Sequence, residues 1–216
     1  MTLDFDPIWA HRDQVVEGLL TTIALSAAAL MGAMAIGLPV GIAGASSRRP
    51  FRLAAAGYVE AVRNVPLLLH IHAWYLGLAW LDLAPFLCAA LGLSIYSAAY
   101  AAEIVRAGLL AIPPGQSDAA RALGLGRWAT LRLVVAPQAF RIVAPSLGNL
   151  FSQLIKDSSL ASVIAVGELA YQAGAIEADT FRSVEVYATT VVLYLALVTL
   201  VGWAVRRPAP GQLRDA

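Results

Sequence analysis

The chain is poor in charge, in lysine and in cysteine, and each shortage excludes something. Only 13% of its 216 residues are charged, while 59% are hydrophobic and the mean hydropathy is +0.71. Soluble domains carry about 25% charged residues, so a soluble helical domain of this size could not hide so much apolar surface. The single cysteine, Cys88, rules out a disulfide within the chain, and no metal-ligand spacing accompanies it. Lys156 is the only lysine. No Gly-x-x-x-x-Gly-Lys-Ser/Thr loop occurs, so the chain is not expected to hydrolyse ATP. No nucleophile–base set is visible, which argues against an enzyme. The net charge of +1 gives no reason to expect a nucleic-acid partner. Met1–Gln14 is acidic and lacks an early apolar core, so no cleavable signal peptide is expected.

What is abundant is hydrocarbon in span-length runs. Each crossing needs about 20 mostly apolar residues. The sequence offers five such runs: Val15–Ala45, Val65–Leu81, Pro85–Ala111, Phe140–Ile155 and Val184–Val205. An interfacial segment, Phe51–Asn64, precedes the second. Lys156-Asp157-Ser158-Ser159 interrupts the fourth, and Leu160–Ala170 continues it. The expected fold is therefore an all-α integral membrane protein with about five transmembrane helices, in one domain over residues 1–216. Its membrane core would be about 15–205, with a loop at 114–137.

The arginines orient it. Arg48, Arg49 and Arg52 follow the first run. Arg121, Arg127, Arg132 and Arg141 flank the loop after the third, and Arg206, Arg207 and Arg214 follow the fifth. The other side holds Arg12 and Arg182 with most acids: Asp4, Asp6, Asp13, Glu17, Asp82, Glu177 and Asp179. Basic residues favour the cytoplasm, so the N-terminus is expected outside and the C-terminus inside. Turn signals at Pro113-Pro114-Gly115 and Pro208-Ala209-Pro210-Gly211 close the third and fifth runs.

The cytoplasmic loop reads Asp118-Ala119-Ala120-Arg121-Ala122-Leu123-Gly124, nine residues, then Val134-Val135-Ala136-Pro137. Ser117 is expected to cap a helix beginning at Asp118, whose acid suits the helix dipole. Ala119 and Ala120 would form a small-residue face, Gly124 would end the helix, and a second helix would lead to Pro137. Such a helix can dock in a groove of another protein; the plainer reading is an interfacial helix that only connects two spans.

This spacing resembles the coupling loop of ATP-binding-cassette importer permeases: Glu-Ala-Ala, three residues, Gly, nine residues, Ile, one residue, Leu-Pro. Asp118 stands for the Glu, Val134 for the Ile and Ala136 for the Leu. Ser97–Arg106, Glu60–Leu68, Leu154–Ile164 and Gly18–Ser26 are similar to further elements of the polar-amino-acid branch, which includes histidine, glutamine, glutamate, arginine and opine permeases. The resemblance covers about residues 15–205. It implies the type I importer permease fold and a bacterial cytoplasmic (inner) membrane location. It also implies a second permease subunit, identical or homologous, an extracytoplasmic amino-acid-binding protein, and a cytoplasmic ATPase dimer that uses ATP and Mg. Asp118, Ala119, Ala120, Arg121, Leu123, Gly124 and Pro137 would contact that ATPase. Three departures stand out: Val65 replaces the usual Thr, His70 the usual Gln, and His72 an apolar residue.

Polar groups inside a bilayer are paired or line a path. Tyr100, Glu103 and Arg106 share one helix face. Glu103 either satisfies itself with Arg106 or faces the path to meet a substrate cation. Glu60, Arg63 and Asn64 precede Pro66, which should break the helix. Freed backbone groups there can hold a carboxylate, or the site is an interfacial pair beside a kink. Lys156, Asp157, Ser158 and Ser159 mark a second expected break, with the serines capping the next segment; the alternative is a membrane-edge turn. His70 and His72 fall on opposite faces, so they are no metal pair. Gly37, Gly41 and Gly44 suit close helix packing. Membrane lipid is a further expected partner of the permease. A secondary transporter or channel, driven by an ion gradient and needing no ATPase, would also accommodate Glu103 and Lys156, but it leaves the docking helix without a role.

Overall fold

A computed structural model describes residues 3–206. All its regular elements are helical, with no strand among the described residues. The Pro208–Gly211 turn signal and the basic residues Arg207 and Arg214 lie outside them.

In chain order the helices are α1 (Asp6–Ala10), α2 (Arg12–Gly44), α3 (Arg49–Arg63), α4 (Leu67–Gly77) and α5 (Pro85–Leu110). Then come α6 (Pro114–Ala122), α7 (Arg127–Thr130), α8 (Ala136–Asp157), α9 (Leu169–Thr180) and α10 (Ser183–Arg206). A 3-10 turn at Ala79–Leu81 follows α4, a π-helical turn at Leu131–Val135 joins α7 to α8, and a 3-10 segment at Ser158–Ile164 follows α8. The first, third and fifth expected runs thus form α2, α5 and α10. With 33 residues at 1.5 Å each, α2 is about 50 Å long, well beyond the ~30 Å hydrocarbon layer.

The second run differs from expectation. Only 11 of its residues form α4, about 16 Å of helix, which is too short to cross alone. Pro66 separates it from α3 (φ −58°, ψ 139°). The fourth run begins earlier than expected, since helix runs from Arg127 through the π turn into α8. Three described helices, α2, α5 and α10, are long and apolar enough to cross a membrane. The stretch from Arg127 to Ile164 with α9, bent by 52°, makes a fourth if counted as one span.

The bundle is built on the seam between α2 and α5, where small residues remove the side chains that would separate the backbones. A Cβ on Gly37 would sit 2.7 Å from Ala101 Cβ and 2.8 Å from Ala98 O. One on Gly41 would sit 2.7 Å from Ala102 O. The close packing expected of these glycines is therefore present. Leu25, Ala29, Ile71, Leu93, Leu154 and Ala161 fill the core beside this seam. By contrast, α10 leaves Val191, Val192, Leu195 and Leu200 exposed, as a lipid-facing helix would.

The seam also fixes the ends. Gly44, the last residue of α2, abuts the Arg106 side chain near the end of α5. Arg48, Arg49 and Arg52 therefore lie at the same end of the bundle as the loop that carries α6. At the opposite end, Gly18 abuts Leu169 and Gln172 of α9, and Arg182 lies 3.7 Å from Asp4 and 3.6 Å from Glu185.

Candidate functional site

The loop beyond α5 is a rigid, exposed helix. It starts four residues earlier than expected, at Pro114, because a proline at the first helical position needs no N–H partner and presets φ. Pro113 precedes it in extended geometry (φ −58°, ψ 133°), as a residue before proline prefers. Ser117 is thus inside α6 and caps nothing, and Asp118 lies past the first turn. Asp118 instead approaches Arg121, 4.0 Å away and one turn on. Ala119 is exposed, but Ala120 is covered by the protein itself, so the open small-residue face is narrower than the sequence implied.

Gly124 ends the helix as expected, by a specific device. Its φ is +82°, a region open mainly to glycine. Gly124 N donates to Arg121 O at 2.9 Å, and Leu125 N to Ala120 O at 3.1 Å. This pair of bonds is a Schellman closure, which satisfies the last carbonyls of a helix. Leu123 is left 83% exposed and Trp128 71% exposed on either side of the closure. Large apolar groups held out by rigid backbone are what a docking surface requires.

Pro137 sits two residues past the π turn. It lacks the N–H that an α-helix would give to the carbonyl of residue 133, and widening the preceding turn accommodates that loss. Gln138 Nε2 donates to Val134 O at 2.9 Å and reaches Gln116 Oε1 at 3.5 Å. The side chain after Pro137 therefore ties α8 to α6.

A second group of candidates converges where α3 breaks into α4. The Arg63 guanidinium lies 4.9 Å from the centre of the Tyr100 ring, a cation–π distance. Tyr100 Oη and Tyr96 Oη are 3.0 Å apart. The His70 ring packs on Tyr96 at 5.6 Å, and His70 Nε2 donates to Val62 O at 3.1 Å. That carbonyl belongs to the last turn of α3 and also accepts from Val65 N at 3.3 Å, so His70 supplies its second bond. A carbonyl only accepts, so Nε2 carries the proton. His70 thus bridges the break with one bond, while Asn64 caps the end of α3 and is exposed. Tyr96 completes the cluster, and the sequence reading missed it. Its position four residues before Tyr100 was the available signal.

Glu103 and Arg106 form the pair that the spacing allowed. Arg106 Nε donates to Glu103 Oε1 at 2.9 Å and Nη2 to Oε2 at 3.4 Å. Both side chains remain about two-fifths exposed, so the pair is open on one side.

The expected break at Lys156–Ser159 is not where the chain turns. The α-helix runs to Asp157 and passes without reversal into the 3-10 segment. Ser158 Oγ donates back to Ile155 O at 2.8 Å, and Ser159 Oγ to Lys156 O at 2.7 Å. The serines therefore close the helix behind them and do not cap the segment ahead, because a short hydroxyl reaches a carbonyl three residues earlier more readily than a distant N–H. Asp157 accepts from Gln153 Nε2 at 2.8 Å, and Lys156 is exposed.

The turn itself is at 165–168. Ala165 is left-handed (φ +59°), and Glu168 caps α9 by accepting from Tyr171 N at 2.7 Å. Glu168 is fully buried and also accepts from Tyr194 Oη at 2.5 Å. Leu169 N donates to Thr22 Oγ1 at 3.1 Å. This polar junction pins α9 to α2 and α10. The sequence reading passed over it, although a lone acid within an apolar run is itself a signal. Among the described residues no group of three or more His, Cys, Asp or Glu is placed to hold a metal ion.

The helical bundle thus presents an exposed helix, closed by Gly124, at its arginine-rich end. The comparisons with known proteins make this specific. Residues 37–212 match the family described as binding-protein-dependent transport system inner membrane component, and the chain belongs to it. It is 36% identical over 211 residues to the glutamine transport system permease protein GlnP of Escherichia coli (strain K12), covering 96% of each chain. It is 34% identical to the arginine transport system permease protein ArtQ of Bacillus subtilis (strain 168), covering 96% of this chain and 97% of that one. The crystal structure of an amino acid ABC transporter with histidines superposes with a TM-score of 0.85 at 34% identity, covering 95% of this chain and 97% of that one. An inward-facing structure of the MetNI methionine ABC transporter shares the fold, with a TM-score of 0.80 at 23% identity and the same coverage. The chain therefore has the importer permease fold of these neighbours and is a membrane permease subunit of this family.

Proposed function

We propose that this chain is the membrane permease of an ATP-driven importer for a polar amino acid, acting as one domain with its N-terminus outside and C-terminus in the cytoplasm. The observation that carries this is the coupling helix: the family spacing falls on an exposed helix that Gly124 terminates rigidly. The relatives named for glutamine and arginine transport support the substrate class. The two arginine groups at one end of the bundle support the orientation.

Two permeases, identical or homologous, pair about a two-fold axis to form the pore, because the long helices of one chain are few for a complete path. A cytoplasmic ATPase dimer uses ATP and Mg, and an extracytoplasmic binding protein delivers the amino acid at the inner membrane of a bacterium. ATP binding closes the ATPase dimer. Asp118, Arg121, Leu123 and Gly124 pass that motion through the Gln116–Gln138 tie to α8, and the path opens outward. Reset opens it inward, completing alternating access. Arg63, Tyr100 and Tyr96 beside the Pro66 break meet the carboxylate end of the substrate. Glu103 and Asp157 are the acids available for its cationic groups, with Lys156 close by.

The deciding experiment is ATPase activity of the purified complex in nanodiscs, with a panel of amino acids and the binding protein. Stimulation by one amino-acid class identifies the substrate. A preparation without an ATPase that still took up amino acids on an ion gradient would overturn the reading. Gly124→Asp abolishes uptake in this scheme, with assembly retained or weakened; normal uptake by that variant would remove the coupling helix from the mechanism.

A further inference from the structure

The first turns of α3 leave a gap against the bundle. This helix buries only Ala55, Val59 and Val62. Small residues face it, with Gly41 and Gly44 on α2 and Ala102 on α5, and the result is a cavity of about 170 Å³ between the three helices. Two guanidiniums border that cavity, Arg52 and Arg106, against one carboxylate, Glu103. Glu103 engages only Nε and Nη2 of Arg106, so Nη1 retains its donors for another acceptor. Arg52 gives one contact to Ser46 O at 3.3 Å. Arg48 and Arg49, both exposed, open the same helix. The remaining wall is apolar, formed by Val40, Ala56 and Val59.

A cationic mouth above an apolar wall, placed where the first span leaves the membrane, matches a phospholipid end-on. Basic pockets between helices on the cytoplasmic side favour anionic headgroups. A small soluble anion would satisfy the arginines but leave the apolar wall without a partner. We propose that this cavity binds an anionic phospholipid, its phosphate held by Arg52 and Arg106 and its first acyl carbons lying against Val40 and Val59. Bound there, the lipid fills the gap between α3 and the α2–α5 seam. The site borders Glu103, one of the acids proposed for substrate, but lies apart from α6, and lipid retention there does not depend on the substrate being an amino acid.

The full-length chain is reconstituted in nanodiscs of phosphatidylcholine with a minor share of phosphatidylglycerol, released, and read by native mass spectrometry for retained lipid. Phosphatidylglycerol is retained in preference to phosphatidylcholine. Arg52→Gln lowers that retention about fivefold, the order expected for one basic residue near a charged lipid surface. Ala56→Leu, which fills the apolar wall, lowers it as well, and Arg12→Gln at the other end of the bundle leaves it unchanged. Equal retention of the two lipids, or retention indifferent to Arg52→Gln, overturns the proposal. A third arm uses inorganic phosphate on the chain in pure phosphatidylcholine. Thermal protection by phosphate that disappears in Arg52→Gln would assign the site to a free anion and overturn the lipid.

Discussion

At Pro66 and at Ala165 the chain breaks an apolar run by opposite means. The first break is made by a residue that cannot continue a helix. A carbonyl of its last turn takes a second bond from a side chain of the next helix, His70, and its surroundings stay half-open. The second break contains no proline. A left-handed alanine turns the chain, and a fully buried glutamate fixes the new direction through three helices. An open break with polar groups around it suits a place that substrate visits. A sealed break with its acid already satisfied suits a fixed joint. The difference shows that an acid in a membrane segment does not mark a site until its partners are counted.

The comparison can be broken most directly at Glu168. Glu168→Ala leaves the Tyr194 Oη and Tyr171 N donors without their acceptor, at about 1–3 kcal/mol for each buried donor left unsatisfied. A fall in thermal unfolding temperature checks it, and an unchanged temperature would mean the second break is not a joint. His70→Leu withdraws one hydrogen bond from Val62 O, which also accepts from Val65 N, at a cost of about 1 kcal/mol. Faster hydrogen exchange at Leu67–His70 is the expected signature. Ala165→Gly relieves the left-handed penalty of about 1–2 kcal/mol and returns part of it as chain entropy, so the protein gains about 0.5–1 kcal/mol. A destabilised variant would contradict the backbone assignment there. The smallest effect on stability is expected of Pro66→Ala, about 0.5 kcal/mol lost through the freer unfolded chain. Its value is in transport: with the break no longer enforced, uptake falls while the fold persists, and normal uptake would dissociate the break from the path.

The sequence made some of this legible and hid the rest for identifiable reasons. Long apolar runs revealed α2, α5 and α10, because composition alone sets the length of a crossing. Gly124 was readable as a helix end, since little else in that segment tolerates its backbone. Pro66 was readable as a break for the complementary reason. The start of α6 was misread because Ser117 and Asp118 look like a cap, yet a proline at the first helical position needs none. At Lys156–Ser159 the α-helix does give way, to a 3-10 segment, but the serines bond backward to the helix they close rather than capping the next segment, and the change of direction comes later. The true turn depends on an alanine with positive φ, for which no residue type is diagnostic. Tyr96 and Glu168 carried local signals, the Tyr100 spacing and a lone acid in an apolar run, but their partners on other helices, His70 and Tyr194, show only in the fold.

The π turn at Leu131–Val135 has a consequence for spacing. A single π turn is equivalent to one extra residue threaded into an α-helix. Rewinding this stretch as regular α-helix without removing a residue would rotate α7 and α8 against each other by about 100°, the angle of one residue. The docking surface around Leu123 and Trp128 would then face a different quarter while each helix remained intact. The segment acts as a phase adjuster. The separation between Gly124 and Pro137 matters to the residue, because it sets the bearing of α6 as well as its distance from the bundle.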